Sequence, residues 1–566
     1  MIFNSYKFIL IFLPVTVVGF WLSARIGGRV SAMVWLTMSS VAFCAWAGVK
    51  SLAVMAAMIG ANYLCARAML RGDTARASMR TFVFTFGICL NIMLLIYFKH
   101  EGMFLDFFNT FVRTRFDLHQ VALPLGVSFL TFQMIGFLAD VYYGHLREIR
   151  WLEYLLFAFF FPRAVAGPIV HYREIVPQFA QFNSRTLRDH APVAICLFSI
   201  GLFKKAFVAD GLAPFVTPTF DLAPATEAPA FITAWFAILA VSLQIYFDFS
   251  GYTDMALGVA RLFGVRLPMN FNSPFKATSI TDLWRRDHIT LTLFLTEYVY
   301  APIMIYLAQS RLARKLLTRT PQRFKPLINA TVTCPATLIT TAVSGLWHGT
   351  SWQFLLWGTL HGVYLVINQM WRTARPLLWA DRSSYERVMQ PVGFILTFVC
   401  ALAAVVFFRA NSVDCALSIF RGAAGLHGFF PAEWALLSRL GFDTWFILYQ
   451  FRNFAWVIAL ILVVTLSPNT MEILRRFQPA LYFTARVTEP LPDQASSTIS
   501  RAQSCGQEVT PFSKKISPAW IAIRAIRQFI QDGIRLNRVT ATLIALVCAL
   551  GILALNDGSN FIYARF

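Results

Sequence analysis

Several stretches of this chain stay apolar for longer than an ordinary soluble domain tolerates. "FILIFLPVTVVGFWLSA" (8–24), "TFVFTFGICLNIMLLIYF" (81–98) and "PVGFILTFVCALAAVVFF" (391–408) each run for 17 or 18 residues without a charged side chain. A helix rises about 1.5 Å per residue and a bilayer core is about 30 Å thick, so roughly 20 such residues cross it. In lipid the backbone has to satisfy its own hydrogen bonds, and a helix does so within one segment. The chain therefore reads as an all-α polytopic membrane protein. Further apolar runs near 31–49, 51–70, 121–143, 193–209, 230–247, 327–346, 352–371, 454–467 and 541–556 bring the expected count to about 11–13 spans. A mean hydropathy of +0.59 agrees with that class.

The formal net charge of +21 would point to nucleic acid in a soluble protein. Here the Lys and Arg fall mostly in short loops between apolar runs, as the positive-inside rule requires, so no nucleic-acid partner is expected. Arg25 and Arg29, then Arg71, Arg76 and Arg80, then Arg147 and Arg150 share one side. The other side has Lys50, Lys99, Arg113 and Arg115. The bias favours an outside N-terminus. "SRLARKLLTRTPQRFK" (310–325) holds six basic and no acidic residues and is expected in the cytoplasm. The first apolar run lacks a clear cleavage site and reads as a retained span. Nine cysteines are scattered with no CxxC pair and no disulfide or zinc spacing.

The organisation expected is a transmembrane core over 1–480, a polar cytoplasmic loop over 481–518, and an interfacial helix with the last span over 519–566. Within the core, "FFFPRAVAGPIVHYREIVPQF" (159–179) carries three prolines, a glycine and several charges. Broken or re-entrant helices fit it better than one clean span, provided that protein or a water-filled cavity covers the backbone. No internal repeat is evident, so an inverted-repeat transporter gains no support.

Polar groups inside membrane segments are costly and mark sites of interest. Three stretches stand out. In "QIYFDFSGYTDMALGVARLFG" (244–264), Gln244, Asp248 and Tyr252 share one helical face, whereas Asp248 and Asp254 lie about 240° apart and cannot serve one site. Asp248 is either a structural carboxylate or part of a polar site. In "NFNSPFKATSITDLWRRDHITLTLFLTEYVYAPI" (270–303), Ser279 or Thr281 is placed to cap a helix starting near Asp282, with Trp284 and His288 one turn apart on it. Arg285, Arg286, Asp287 and His288 suit either a headgroup-level anchor or a helix entering the membrane beside a polar cavity.

The third stretch is "SGLWHGTSWQFLLWGTLHG" (344–362). Thr350 or Ser351 is a good N-cap for a helix over 352–371, which places His348 in the turn before it. A helix N-terminus disfavours imidazolium, and a neutral imidazole is what a general base needs. By itself such a histidine is either a satisfied buried side chain or a base. His361 lies 13 residues on, about 20 Å along one helix, and would join His348 only if the helix broke. The nine histidines are dispersed, with no HxxxH pair, so no metal is expected. Neither a phosphate-binding GxxxxGK[ST] loop nor a GxSxG elbow occurs.

Taken together with "LPLGVSFLTFQMIGFLADVYYG" (123–144), "FFRANSVDCALSIFRG" (407–422) and the terminal "NFIYARF", these stretches resemble the membrane-bound O-acyltransferase family. The nearest branch is the bacterial one containing alginate O-acetyltransferase and the D-alanyl transfer protein of teichoic acid synthesis. The resemblance implies a helical bundle with a funnel or tunnel through the membrane. It implies that His348, in the WHG-type motif with Trp347, is essential, and that His288 is the second invariant polar position. Asp248 and Tyr252 match the family's "FDFSGY" motif. Asp287 stands where the family pattern has tryptophan, and Thr296 where it has arginine. The resemblance further implies an acyl group, acetyl foremost, carried by a cytoplasmic thioester (acetyl-CoA or an acyl carrier) as co-substrate, with no bound cofactor. Hydroxyls of an extracytoplasmic polysaccharide are the expected acceptor, with a periplasmic acyltransferase as a possible partner and the bacterial inner membrane as the location. Teichoic acid with D-alanine, peptidoglycan, a lipid or a protein hydroxyl are alternative acceptors. A glycan or lipid transporter is the reading from another class.

Overall fold

The computed structural model describes residues 2–71, 77–100, 109, 124, 126–183, 185–222, 228–379, 381–430, 443–483, 533–534 and 537–555. Apart from 481–483 and 533–534, the polar loop expected over 481–518 and the interfacial helix expected over 519–536 lie outside these residues. Nine helices among the described residues are long and apolar enough to cross a membrane. The described structure is all-α, and the chain is a multi-pass membrane protein.

Four helices open the chain: α1 (Phe8–Ile26), α2 (Gly28–Ala45), α3 (Val49–Arg71) and α4 (Ala77–Lys99). They show lipid-facing side chains such as Leu10, Ile11, Val15 and Phe82, which are more than half exposed. The next span is shorter, α5 (Val127–Tyr142), and almost wholly buried. The proline-rich stretch that follows is broken as its composition requires. Helix α6 (Trp151–Phe159) gives way to a single 3-10 turn, then extended backbone, then α7 (Tyr172–Phe179). Phe160, Phe161 and Arg163 are buried, so this irregular backbone is covered by protein and not by lipid.

Two long helices form the centre. α8 (Thr186–Asp221) packs along α9 (Phe231–Leu262). The span expected over 230–247 continues without a break through the polar "FDFSGYTD" motif. It does so because α8 neutralises both carboxylates. Lys204 Nζ lies 2.7 Å from Asp254 Oδ2, and Lys205 Nζ lies 2.7 Å from Asp248 Oδ1 and 2.6 Å from Asp210 Oδ1. The π-helical turn Phe203–Ala209 carries both lysines.

Short α10 (Ile280–Arg286) then leads into α11 (Ile289–Ala308). The basic amphipathic α12 (Arg311–Arg319) precedes α13 (Lys325–His348), which turns back through 349–351 into α14 (Trp352–Leu378). This hairpin is packed backbone to backbone. A Cβ on Gly345 would sit 2.2 Å from the Phe354 carbonyl oxygen, and one on Gly358 would sit 2.3 Å from that of Thr341. Only glycine permits that approach. Helices α15 (Arg382–Arg409), α16 (Val413–Ala423), α17 (Asp443–Leu466) and α18 (Thr470–Ile473) follow, and α19 (Arg538–Leu553) ends the described chain.

Candidate active site

Ser279 caps α10, its hydroxyl accepting from the Asp282 backbone N–H at 3.1 Å, as the sequence predicted. The helix stops sooner than expected. Asp287 is extended, and His288 adopts φ 45° and ψ 52°, the left-handed region that costs a non-glycine residue about 1 kcal/mol or more. Trp284 and His288 therefore do not share one helical face. The break turns the His288 ring inward, where it is buried against Phe249 at a centroid separation of 4.8 Å. Asn270 holds the break together. Its carbonyl accepts from Ile289 N at 2.9 Å, and its Oδ1 lies 3.2 Å from both Thr290 N and His288 Nδ1.

His348 is also placed differently from the expectation. It is the last residue of α13, not a free turn residue, and α14 starts at Trp352 with Ser351 at its cap position and no side-chain cap bond. The helix end beside it is thus a carbonyl end. Lys99, from the end of α4, answers it: its Nζ donates to the Trp347 carbonyl at 2.5 Å and lies over the Trp347 ring. Trp347 is itself held by Phe132, stacked at 5.1 Å, and by Phe129 at 5.3 Å. Against this wall the His348 ring packs between Trp357 and Phe408, each 5.1 Å away, with the His288 ring at 6.5 Å.

The tight hairpin brings in His361, which was expected to join His348 only if the helix broke. The chain does break, at 349–351, and α14 folds back on α13. His361 is buried 4.8 Å from the Trp357 ring and accepts from Trp284 Nε1 at 3.2 Å. Two cavities meet here. One of about 130 Å³ is walled mainly by apolar and aromatic side chains of α9, α15 and the segment 271–277. One of about 60 Å³ reaches His348 and Ser344. Leu283, Asp287, His288, Trp357 and His361 border both. Asp287, between α10 and α11, is exposed and borders both cavities.

The structure thus brings together His348, His288, Asp287 and Trp347 of the residues singled out in the sequence. It does not bring Asp248 or Tyr252 to them: Asp248 pairs with Lys205, and Tyr252 stacks on Phe3 at 5.0 Å. Neither borders the two cavities. Sequence reasoning missed Asn270, Lys99, Trp357 and Phe408. Asn270 alone carried a local signal, as an amide in the polar "NFNS" just ahead of the helix.

The cavity bordered by His288, His348 and His361 is the candidate site. Residues 144–320 match the membrane-bound O-acyltransferase family. A peptidoglycan O-acetyltransferase of Helicobacter pylori is 34% identical over 455 residues, covering 76% of this chain and 80% of that protein. A probable alginate O-acetylase of Azotobacter vinelandii is 32% identical, covering 74% of this chain and 77% of its own length. A teichoic acid D-alanyltransferase of Streptococcus thermophilus is 25% identical over half of this chain. The chain belongs to the membrane-bound O-acyltransferase family and is an O-acyltransferase.

Proposed function

We propose that the protein transfers an acyl group, acetyl foremost, from a cytoplasmic thioester to hydroxyls of an extracytoplasmic polysaccharide, across the bacterial inner membrane. The observation that carries this reading is the meeting of two unlike cavities at His288 and His361, the smaller of them reaching His348. The larger, apolar one suits an acyl group and the thioester arm behind it. The smaller one reaches His348 and suits an acceptor hydroxyl. A transferase whose substrates lie on opposite faces needs such a junction inside the membrane.

In this reading neutral His348 takes the proton of the acceptor hydroxyl. The oxygen attacks the thioester carbonyl carbon, the C–S bond breaks, and the departing thiolate sulfur recovers the proton from His348. His288, at the junction, orients the reacting groups. Asp287 borders both chambers, and Trp347 fixes the His348 ring. Asp248 and Tyr252 support the fold around α9. The thioester is a co-substrate, acetyl-CoA or an acyl carrier. A periplasmic acyltransferase is the partner class suggested by the resemblance, and the Lys/Arg bias of the loops supports an outside N-terminus.

The test is mass spectrometry of surface glycans from cells carrying the wild type or His348→Ala, with membrane insertion and thermal unfolding of the variant checked. Loss of O-acyl groups in folded His348→Ala is expected. Near wild-type acylation would remove His348 from the reaction. O-acyl loss confined to peptidoglycan, teichoic acid or a lipid would reassign the acceptor. The name of the Helicobacter pylori relative makes peptidoglycan the second acceptor to examine.

A further inference from the structure

Residues 298–380 hold eight Lys and Arg and no Asp or Glu. α13 and α14 run antiparallel through this stretch, so Lys325 at the start of α13 and Arg375 near the end of α14 come to the same end of the hairpin, where Thr331 meets Met370. α12 lies at that end too, packed against α13 and the end of α11. The acidic residues that bound the stretch in sequence are engaged elsewhere. Glu297 pairs with Arg173, and Asp381 accepts from the Ser383 and Ser384 backbone N–H groups at the start of α15. The chain therefore supplies this end with cations and leaves their counter-charge to come from outside it.

α12 shows what kind of anion fits. Ser310 caps it, its hydroxyl accepting from Ala313 N at 3.2 Å. At about 100° per residue, Arg311, Arg314, Lys315 and Arg319 share an arc of about 140°. Leu312, Ala313, Leu316 and Leu317 fill the opposite arc. Ala313 is buried against the protein, whereas Leu312 is 64% exposed, Leu316 is exposed beside it, and all four cations are exposed. Tyr306, 77% exposed near the end of α11, marks the headgroup level just ahead of this helix. A soluble anion, such as the phosphates of a thioester carrier, would neutralise the cations and leave the leucines in water. A phospholipid meets both, its headgroup on the cations and its chains on the leucines.

We propose that α12 is an interfacial helix that binds anionic phospholipid, with Arg311, Arg314, Lys315 and Arg319 on the headgroups and Leu312 and Leu316 among the acyl chains. This surface is independent of the acyl-transfer reading. The first test is hydrogen–deuterium exchange of the full chain in nanodiscs of phosphatidylcholine alone or with phosphatidylglycerol. Slower exchange over 311–319 with phosphatidylglycerol is expected, and equal exchange in the two lipids would overturn the proposal. Slowing by added coenzyme A, with none from phosphatidylglycerol, would also overturn it and give the surface to a soluble phosphate carrier. The second test is native mass spectrometry of lipids bound from an equimolar mixture of the two. The wild type is expected to retain phosphatidylglycerol preferentially. The combined variant Arg311→Gln, Arg314→Gln, Lys315→Gln and Arg319→Gln should lower that preference by about fivefold or more, since one cation near an anionic surface is worth about that factor. An unchanged ratio in the folded variant would remove α12 from lipid binding.

Discussion

Two regions of this molecule bury polar side chains at membrane depth, and they do so in opposite ways. Between α8 and α9, Lys204 and Lys205 meet Asp254, Asp248 and Asp210 at 2.6–2.7 Å, and the cavity that borders Lys204 and Asp254 is about 10 Å³. Around His348 and His288 the surroundings are aromatic rings, and two cavities of about 130 and 60 Å³ open between them. The first region spends its polarity on itself and joins helices. The second keeps space next to side chains that can exchange protons. Intramembrane polarity alone therefore does not mark a catalytic site. Polarity that borders a cavity roomy enough for a substrate group marks a candidate.

The comparison breaks most readily at His348. His348→Ala is expected to lower acyl transfer by about 100- to 10,000-fold, the range for a general base, with the unfolding midpoint close to wild type. Lys205→Met tests the other region and should reverse that pattern. Leaving buried Asp248 without its cation is expected to cost about 3–5 kcal/mol of stability, and adding Asp248→Leu should recover much of it, both read from unfolding in detergent. Equal activity loss per folded molecule in the two variants would erase the distinction. His288→Gln should come next, with transfer reduced about 100-fold in a folded protein.

A smaller effect sharpens the boundary of the site. Trp284→Phe removes the N–H given to His361 and is expected to cost about 1 kcal/mol of stability.

Much of this was legible in the chain. Uninterrupted apolar runs fixed the membrane class, because no other backbone form buries them in lipid. The proline-rich 159–179 read as broken, and it is. Asp248 and Asp254, placed about 240° apart by helical spacing, do find separate partners, Lys205 and Lys204. A cap at Ser279 or Thr281 was readable from spacing, and the structure selects Ser279. The arrangement of histidines was not. Four ionisable residues in a row read as continuous helix, whereas the chain breaks at His288 through contacts with Asn270, 18 residues upstream. His361 was set aside on one-helix geometry.

The sequence by itself determined the class, many of the apolar helices and the three stretches that deserved scrutiny, since hydrophobic length and local capping act over neighbouring residues. Which of those stretches form one site was decided only by tertiary structure. The hairpin glycines Gly345 and Gly358 let two backbones touch and carry His361 to the His348 cavity. Lys205 draws Asp248 away from it. The physical reason is that a polar side chain is drawn to whichever partner or space the packing of distant helices leaves beside it, and spacing along one segment contains no record of those helices.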